Sequence, residues 1–399
     1  MKAMRSSTLA LKNKNMKYAV LFFCGAALLF SCKPRIKMLS ACTLSKSQYL
    51  DTIPFTDAYG LISVPVSING KSNKLIFDTG ADLLLLRRDP LSAPSKIQAK
   101  ATDSNNKVAT ISINKAGTVN MAGLEYRDLY ALRNDFPSLL SCLGEGLIGN
   151  NMIARSHWKI TRSALIRSSQ PLSMRKDNLV RPYFMYSSFR FFSSFTVNGF
   201  KLDSCLIDYG GHFEIDVPMR SYSEMMSHIK TVNATNTVVA THWGVSGKSV
   251  ADTSLVVNAD IDLSGITMNN VNIRFSKSFS ERRMGAVLLR RFNAVYINIS
   301  DHTLSFELPV YANTYGGENP FIADIVEGQF SVDGYALING TEALHVGERL
   351  NFINGKTASY FDSYCDFFNW LQEQKKQQSI HIMTSHSRNF ILPNPNYTR

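Results

Sequence analysis

Leu75-Ile76-Phe77-Asp78-Thr79-Gly80-Ala81-Asp82 is an apolar run that delivers an aspartate onto a glycine turn, and a degraded copy returns as Cys205-Leu206-Ile207-Asp208-Tyr209-Gly210-Gly211. One aspartate in such a setting is a weak sign. Two on matching frames point to a pair of carboxylates with a common task. Ahead of the first, Leu61-Ile62-Ser63-Val64-Pro65-Val66-Ser67-Ile68 alternates near period two, Asn69-Gly70 is a hairpin turn, and Lys74 to Phe77 resumes a strand. Ahead of the second, Phe195-Thr196-Val197, the turn Asn198-Gly199 and the run Leu202 to Ile207 repeat that order.

A second correspondence lies downstream. Gly146-Leu147-Ile148-Gly149-Asn150-Asn151-Met152 follows the first aspartate, and Arg283-Met284-Gly285-Ala286-Val287-Leu288-Leu289 follows the second at a similar separation. Each half then closes on amphipathic β segments, Trp158-Lys159-Ile160 in one and Ala294 to Ile299 with Leu304 to Leu308 in the other. A repeat this long exceeds a solenoid unit and predicts two duplicated lobes.

Asp-Thr-Gly after an apolar strand, with apolar-apolar-Gly far downstream, resembles the pepsin and retroviral aspartic proteases, in particular bacterial retropepsin-like proteins. The resemblance covers roughly residues 57 to 308 and is closer in the first half. It implies a mainly β, two-lobed aspartic-protease-like fold of duplicated β barrels, and an aspartic endopeptidase that acts on a peptide or protein substrate. Asp78 and Asp208 would be the catalytic pair, supported by Thr79, Gly80, Ala81, Gly149, Tyr209, Gly210 and Gly285. In this family the threonine hydroxyl braces one loop against the other. Two carboxylates about 3 Å apart cannot both ionise, so one serves as base toward water and the other as acid toward the carbonyl. Such chemistry needs no metal and no cofactor.

The chain departs from the family in three places. Tyr209 stands where a small hydroxyl is expected, and a phenol there requires rearrangement. Asn150 stands where retroviral members carry an arginine that pairs with the second acid, so Asp82 either binds substrate backbone or caps a local turn. No Gly-rich flap tip is evident between Val108 and Met121, although Val108 to Ile113 could form one arm of a flap. The rival expectation is a catalytically degenerate peptide-binding or scaffold protein that keeps the fold.

Toward the C-terminus, Gly347-Glu348-Arg349-Leu350-Asn351-Phe352-Ile353-Asn354-Gly355-Lys356 resembles the Gly-Asp-x-Ile-x-x-Ile-Asn-Gly strand of PDZ domains. Tyr364, Phe367, Phe368 and Leu371 then follow at helical spacing, and Ile380 to Met383 would close the sheet. The resemblance implies a small α/β PDZ-like domain that takes a peptide C-terminus by strand addition, although no carboxylate-binding Gly-Leu-Gly-Phe loop is present.

At 399 residues and 45% hydrophobic content, the chain is long enough for several folded units. Lys12, Lys14 and Lys17 precede an apolar run from Tyr18 to Phe30 that is too short to span a bilayer and suits a signal peptide. Leu29-Phe30-Ser31-Cys32 resembles a bacterial lipobox, which implies lipidation of Cys32 and a membrane-anchored place in the cell envelope, periplasmic or outer-membrane. Of the formal net charge of +12, five units fall in residues 1–31. Eight basic residues against Asp177 alone lie between Arg155 and Arg190, a stretch suited to anionic headgroups, to one wall of a cleft or to a solvated loop. Nucleic acid is excluded as a partner, since no recognition motif accompanies the charge.

Cys42, Cys142, Cys205 and Cys365 remain after the signal; they contain no CxxC pair, and in an oxidising compartment they permit three pairings. Cys205, within an apolar strand, reads as a core residue. Gly247-Lys248-Ser249 lacks the leading glycine of a phosphate loop, because position 242 is His242, and there is no G-x-S-x-G or H-E-x-x-H. The expected order is a signal peptide (1–31), a linker (32–54), a first lobe (55–165), a basic inter-lobe segment (166–190), a second lobe (191–311) and the PDZ-like domain (325–399).

Overall fold

A computed structural model describes residues 40–88, 97–102, 108–135, 138–185, 189–241, 243–244, 247–312, 321–336, 344–374 and 377–393. The expected signal peptide and Cys32 lie outside these residues, as do residues 103–107 of the expected flap and His242.

The protein is mainly β, with barrel-like sheets. Both Asn-Gly hairpins form as expected. Asn69 and Gly70 have φ of 49° and 82°, Asn198 and Gly199 have 49° and 88°, and this double left-handed pair matches the twist of the strands it joins. In each case the asparagine side-chain oxygen accepts a backbone amide from across the lobe: Thr118 at 3.0 Å and Asp262 at 2.5 Å.

Strands in the first lobe form a closed circuit. Leu61–Ile68 pairs with Lys71–Phe77, then come Gly146–Ile148, Leu84–Arg87, Leu124–Asn134 and Val108–Met121, which returns to Leu61–Ile68. The second lobe runs the same circuit: Phe191–Val197, Phe200–Asp208, Arg283–Gly285, Ile215–Pro218, Ile266–Ser276 and Asp252–Leu263. The sequence of parallel and antiparallel pairings is identical in the two. The duplication in the sequence is therefore a duplication of topology.

An antiparallel sheet joins the lobes in the order Leu50–Pro54, Ala164–Ser168, His157–Thr161, Phe292–Asn298, Thr303–Val310 and Leu179–Met185. Two of its strands, and most of a third, fall in the segments expected as a linker (32–54) and a basic inter-lobe segment (166–190). Residues 40–54 contribute Thr43–Leu44 and Leu50–Pro54, and the basic stretch contributes Leu179–Met185 and most of Ala164–Ser168. Ile53 is 1% exposed and Arg167 is 0% exposed; Arg167 pairs with Asp51 and donates to the Tyr126 hydroxyl at 2.9 Å. Burial of an apolar and a paired charged side chain, which composition does not reveal, draws these segments into the fold.

The C-terminal unit begins before residue 325, at Phe321–Val326, and continues antiparallel through Gln329–Ala336, Arg349–Ile353, Ser379–Thr384 and Asn389–Pro393. Helix Tyr364–Gln374 buries Phe367 and Leu371 against this sheet. None of the three two-bridge pairings forms whole: Cys142–Cys365 is bonded, while Cys42 and the buried Cys205 are free thiols. Among the described residues, no helix is long and apolar enough to cross a membrane.

Candidate active site

Strand Lys71–Phe77 buries Leu75, Ile76 and Phe77 and stops at Asp78. Beside it runs Gly146–Ile148 in parallel, and the Asp78 amide donates to the Ile148 carbonyl at 3.1 Å. Asp208 ends the equivalent strand and registers with Gly285 of Arg283–Gly285. Gly149 and Gly285 are required by close backbone approach, because a Cβ on either would lie 2.3 Å from a carbonyl oxygen, of Leu83 and Phe213 respectively. Each glycine opens a short helix whose first amide returns to the aspartate turn: Asn150 to the Ala81 carbonyl and Ala286 to the Gly211 carbonyl, both at 2.9 Å.

The two turns bring their carboxylates together. A Cβ on Gly80 would lie 2.7 Å from Asp208 Oδ1 and 3.1 Å from Asp78 Oδ1, and one on Gly210 would lie 2.2 Å from Asp78 Cγ. Each carboxylate also accepts from the glycine of its own turn, Gly80 N to Asp78 Oδ1 at 2.8 Å and Gly210 N to Asp208 Oδ1 at 3.1 Å. Hence the pairing is reciprocal: each glycine supports its own aspartate and makes room for the other.

Burial, and then the Asp208 carboxylate, push the Asp78 carboxyl well above the usual carboxylate range. Burial also raises Asp208, but the Arg283 guanidinium opposes it. Two buried carboxylates this close share one proton, and the Arg283 charge beside Asp208 favours its ionised form. Arg283 is itself held by the fully buried Asp216 at 2.6 Å, which also takes both ends of the Arg274 fork at 2.9 Å. Sequence reasoning did not single out this arginine, although it is visible as the one charged residue where the first half has Leu147.

Thr79 carries the link between the turns. Its hydroxyl donates to the Ile207 carbonyl at 2.5 Å and accepts from the Tyr209 amide at 2.9 Å. The expected clash of Tyr209 is avoided because its ring points into the core, edge-on to Phe77 at 6.1 Å. Its hydroxyl is buried there with no hydrogen-bond partner among the described residues. One turn thus braces the other without a return.

Asn150 is fully buried, and its amide donates to the Thr79 carbonyl at 2.7 Å. Asp82 finds its cation elsewhere. Arg190, just ahead of the second lobe, lies 3.5 Å from Asp82 and 3.2 Å from Glu281, so an ion-pair chain crosses between lobes near the carboxylates. Ile97–Thr102 pairs with Val108–Met121, completing the base of the flap-like hairpin. No model of a known protein family matches the chain, and no curated protein matches it either.

Proposed function

We propose that the protein is an aspartic endopeptidase of the two-lobed, duplicated-barrel type. The observation that carries this reading is the reciprocal approach of Asp78 and Asp208, each against the other's glycine. A water held between them loses a proton to ionised Asp208 as its oxygen attacks the scissile carbonyl. Asp78 gives its proton to the carbonyl oxygen; the tetrahedral diol then collapses with cleavage of the C–N bond, Asp208 passing the proton it took to the leaving nitrogen and a diol hydroxyl returning one to Asp78. General acid–base catalysis of this kind contributes roughly 10²–10⁴-fold in rate.

The C-terminal unit fits the PDZ-like reading, with Phe321–Val326 as an edge strand that can take up an extended peptide beside helix Tyr364–Gln374. Export through residues 1–31 and lipidation at Cys32 complete the proposal. One departure, the unreturned brace at Tyr209, favours a second reading in which peptide is bound without turnover. Incubation with a peptide mixture from pH 4 to 8, followed by sequencing of new termini, separates the two. New termini that vanish on addition of a hydroxyethylene peptide isostere support the peptidase, and their absence across the range leaves the binding protein.

A further inference from the structure

The C-terminal unit is attached to both lobes, and its two attachments differ in chemistry. On the second lobe it is held through backbone and charge. Strand Gln329–Ala336 adds to hairpin strand Thr231–Ala240 with Val238 opposite Ala336 and Ala240 opposite Gly334. Gly334 permits this approach, since a Cβ there would fall 2.7 Å from Ala240 Cβ. Lys248, beyond the end of that strand, reaches back to Asp324 and to Asp333, the latter at 2.7 Å, and Ile322 packs on Val238, Ala240 and Val256.

On the first lobe the attachment is covalent. Cys365, on helix Tyr364–Gln374, is bonded to Cys142, on helix Ser138–Leu143. Beside it, the Tyr59 hydroxyl donates to Asn369 at 2.7 Å and the Tyr59 ring meets Phe368 edge-on at 4.7 Å. The chain leaving Cys142 runs straight to the catalytic turn. Glu145 donates its amide to the Lys74 carbonyl at 2.7 Å, Gly146–Ile148 follows, and Ile148 receives the Asp78 amide.

We propose that the C-terminal unit is a brace across the two lobes, released by reduction of the Cys142–Cys365 disulfide. A dithiol supplies two electrons and two protons, the Sγ–Sγ bond becomes two thiols, and the dithiol closes to its own disulfide. Reduction frees the chain entering Gly146–Ile148, while the strand pairing and Lys248 keep the unit on the second lobe. Loss of a crosslink that closes a loop spanning 223 residues also returns conformational freedom to the unfolded chain. The brace does not rest on the peptidase reading.

Hydrogen exchange on the full chain tests it, in the oxidised form, after dithiothreitol, and in the Cys142→Ser/Cys365→Ser variant. Protection across residues 144–148 and 71–78 falls about tenfold or more on reduction, while the strand at 238–240 keeps its protection. The variant matches the reduced protein and ignores dithiothreitol. If the variant fails to fold, reduction of the unaltered chain alone decides. Equal exchange in residues 144–148 before and after reduction, or free thiols at both positions in the air-oxidised protein, overturns the proposal. None of these readouts needs turnover, so the brace stands or falls on them even in a protein that cleaves nothing.

Discussion

The amide of Tyr209 donates to the hydroxyl of Thr79 at 2.9 Å, and the Tyr209 side chain makes no hydrogen bond in return among the described residues. The Thr79 side chain, which also donates to the Ile207 carbonyl, thus ties the first aspartate turn to the second. Thr79→Val strands the buried Ile207 carbonyl and Tyr209 amide, at about 1–3 kcal/mol for each group left unpaired. Tyr209→Phe removes an unpaired hydroxyl and costs nothing or stabilises. Urea unfolding of the two variants measures both, and a Tyr209→Phe loss as large as that of Thr79→Val would show a partner the fold does not reveal.

Both aspartate carboxyls are raised above their ordinary value of 3.8. On the proposed mechanism activity needs one carboxyl of the pair protonated and one ionised, so it is expected to fall at acid pH when both hold protons and at alkaline pH when neither does. Both limbs of the kcat/KM profile lie above 3.8. Stability follows with the opposite sign to a salt-bridged acid. The folded state holds the Asp78 proton more tightly than the unfolded chain, so stability is full below the unfolded value and declines as pH rises through the folded one. Asp78→Asn abolishes that decline, and its gain in Tm over the unaltered chain grows from acid toward alkaline pH.

Burial raises the Asp208 carboxyl and the Arg283 guanidinium opposes that rise. Arg283→Met raises Asp208 and moves the acid limb of the profile upward, whereas Arg283→Lys, which keeps the charge, moves it less. An unmoved limb in Arg283→Met would remove this arginine from the account.

Glycines separate by what surrounds them. Gly210→Ala drives a methyl into Asp78, 2.2 Å from Cγ. It forces the carboxylates apart, costs about 1–3 kcal/mol in strain and lowers kcat by the same factor as loss of an aspartate. Gly265, with φ of 92°, has nothing within 4 Å of its Cβ position. Gly265→Ala costs about 1 kcal/mol for its left-handed backbone and leaves kcat unchanged.

Legibility in the sequence tracks how local each signal is. Asn69-Gly70 and Asn198-Gly199 specify their own backbone, and the apolar runs into Asp78 and Asp208 specify their own strands, so the repeat is readable without partners. Arg190 at Asp82 and the Cys142–Cys365 bond, 223 residues apart, join segments that say nothing of each other locally. The same holds for Leu50–Pro54, too short a run to specify a strand until Ala164–Ser168 lies beside it. Tyr209 is legible as an anomaly from its position alone. Its resolution, a buried ring packed edge-on to Phe77, depends on core contacts that no spacing discloses.

The central claim is that Asp78 and Asp208 work as one unit, and the most direct test is kcat for peptide cleavage in Asp78→Asn, Asp208→Asn and the double variant. The account predicts that each single change lowers kcat by roughly 10²–10⁴-fold and that the double variant is no worse than either single one, because removing half of the pair already removes its function. An Asp208→Asn protein that keeps most of its activity while Asp78→Asn loses it would contradict the account.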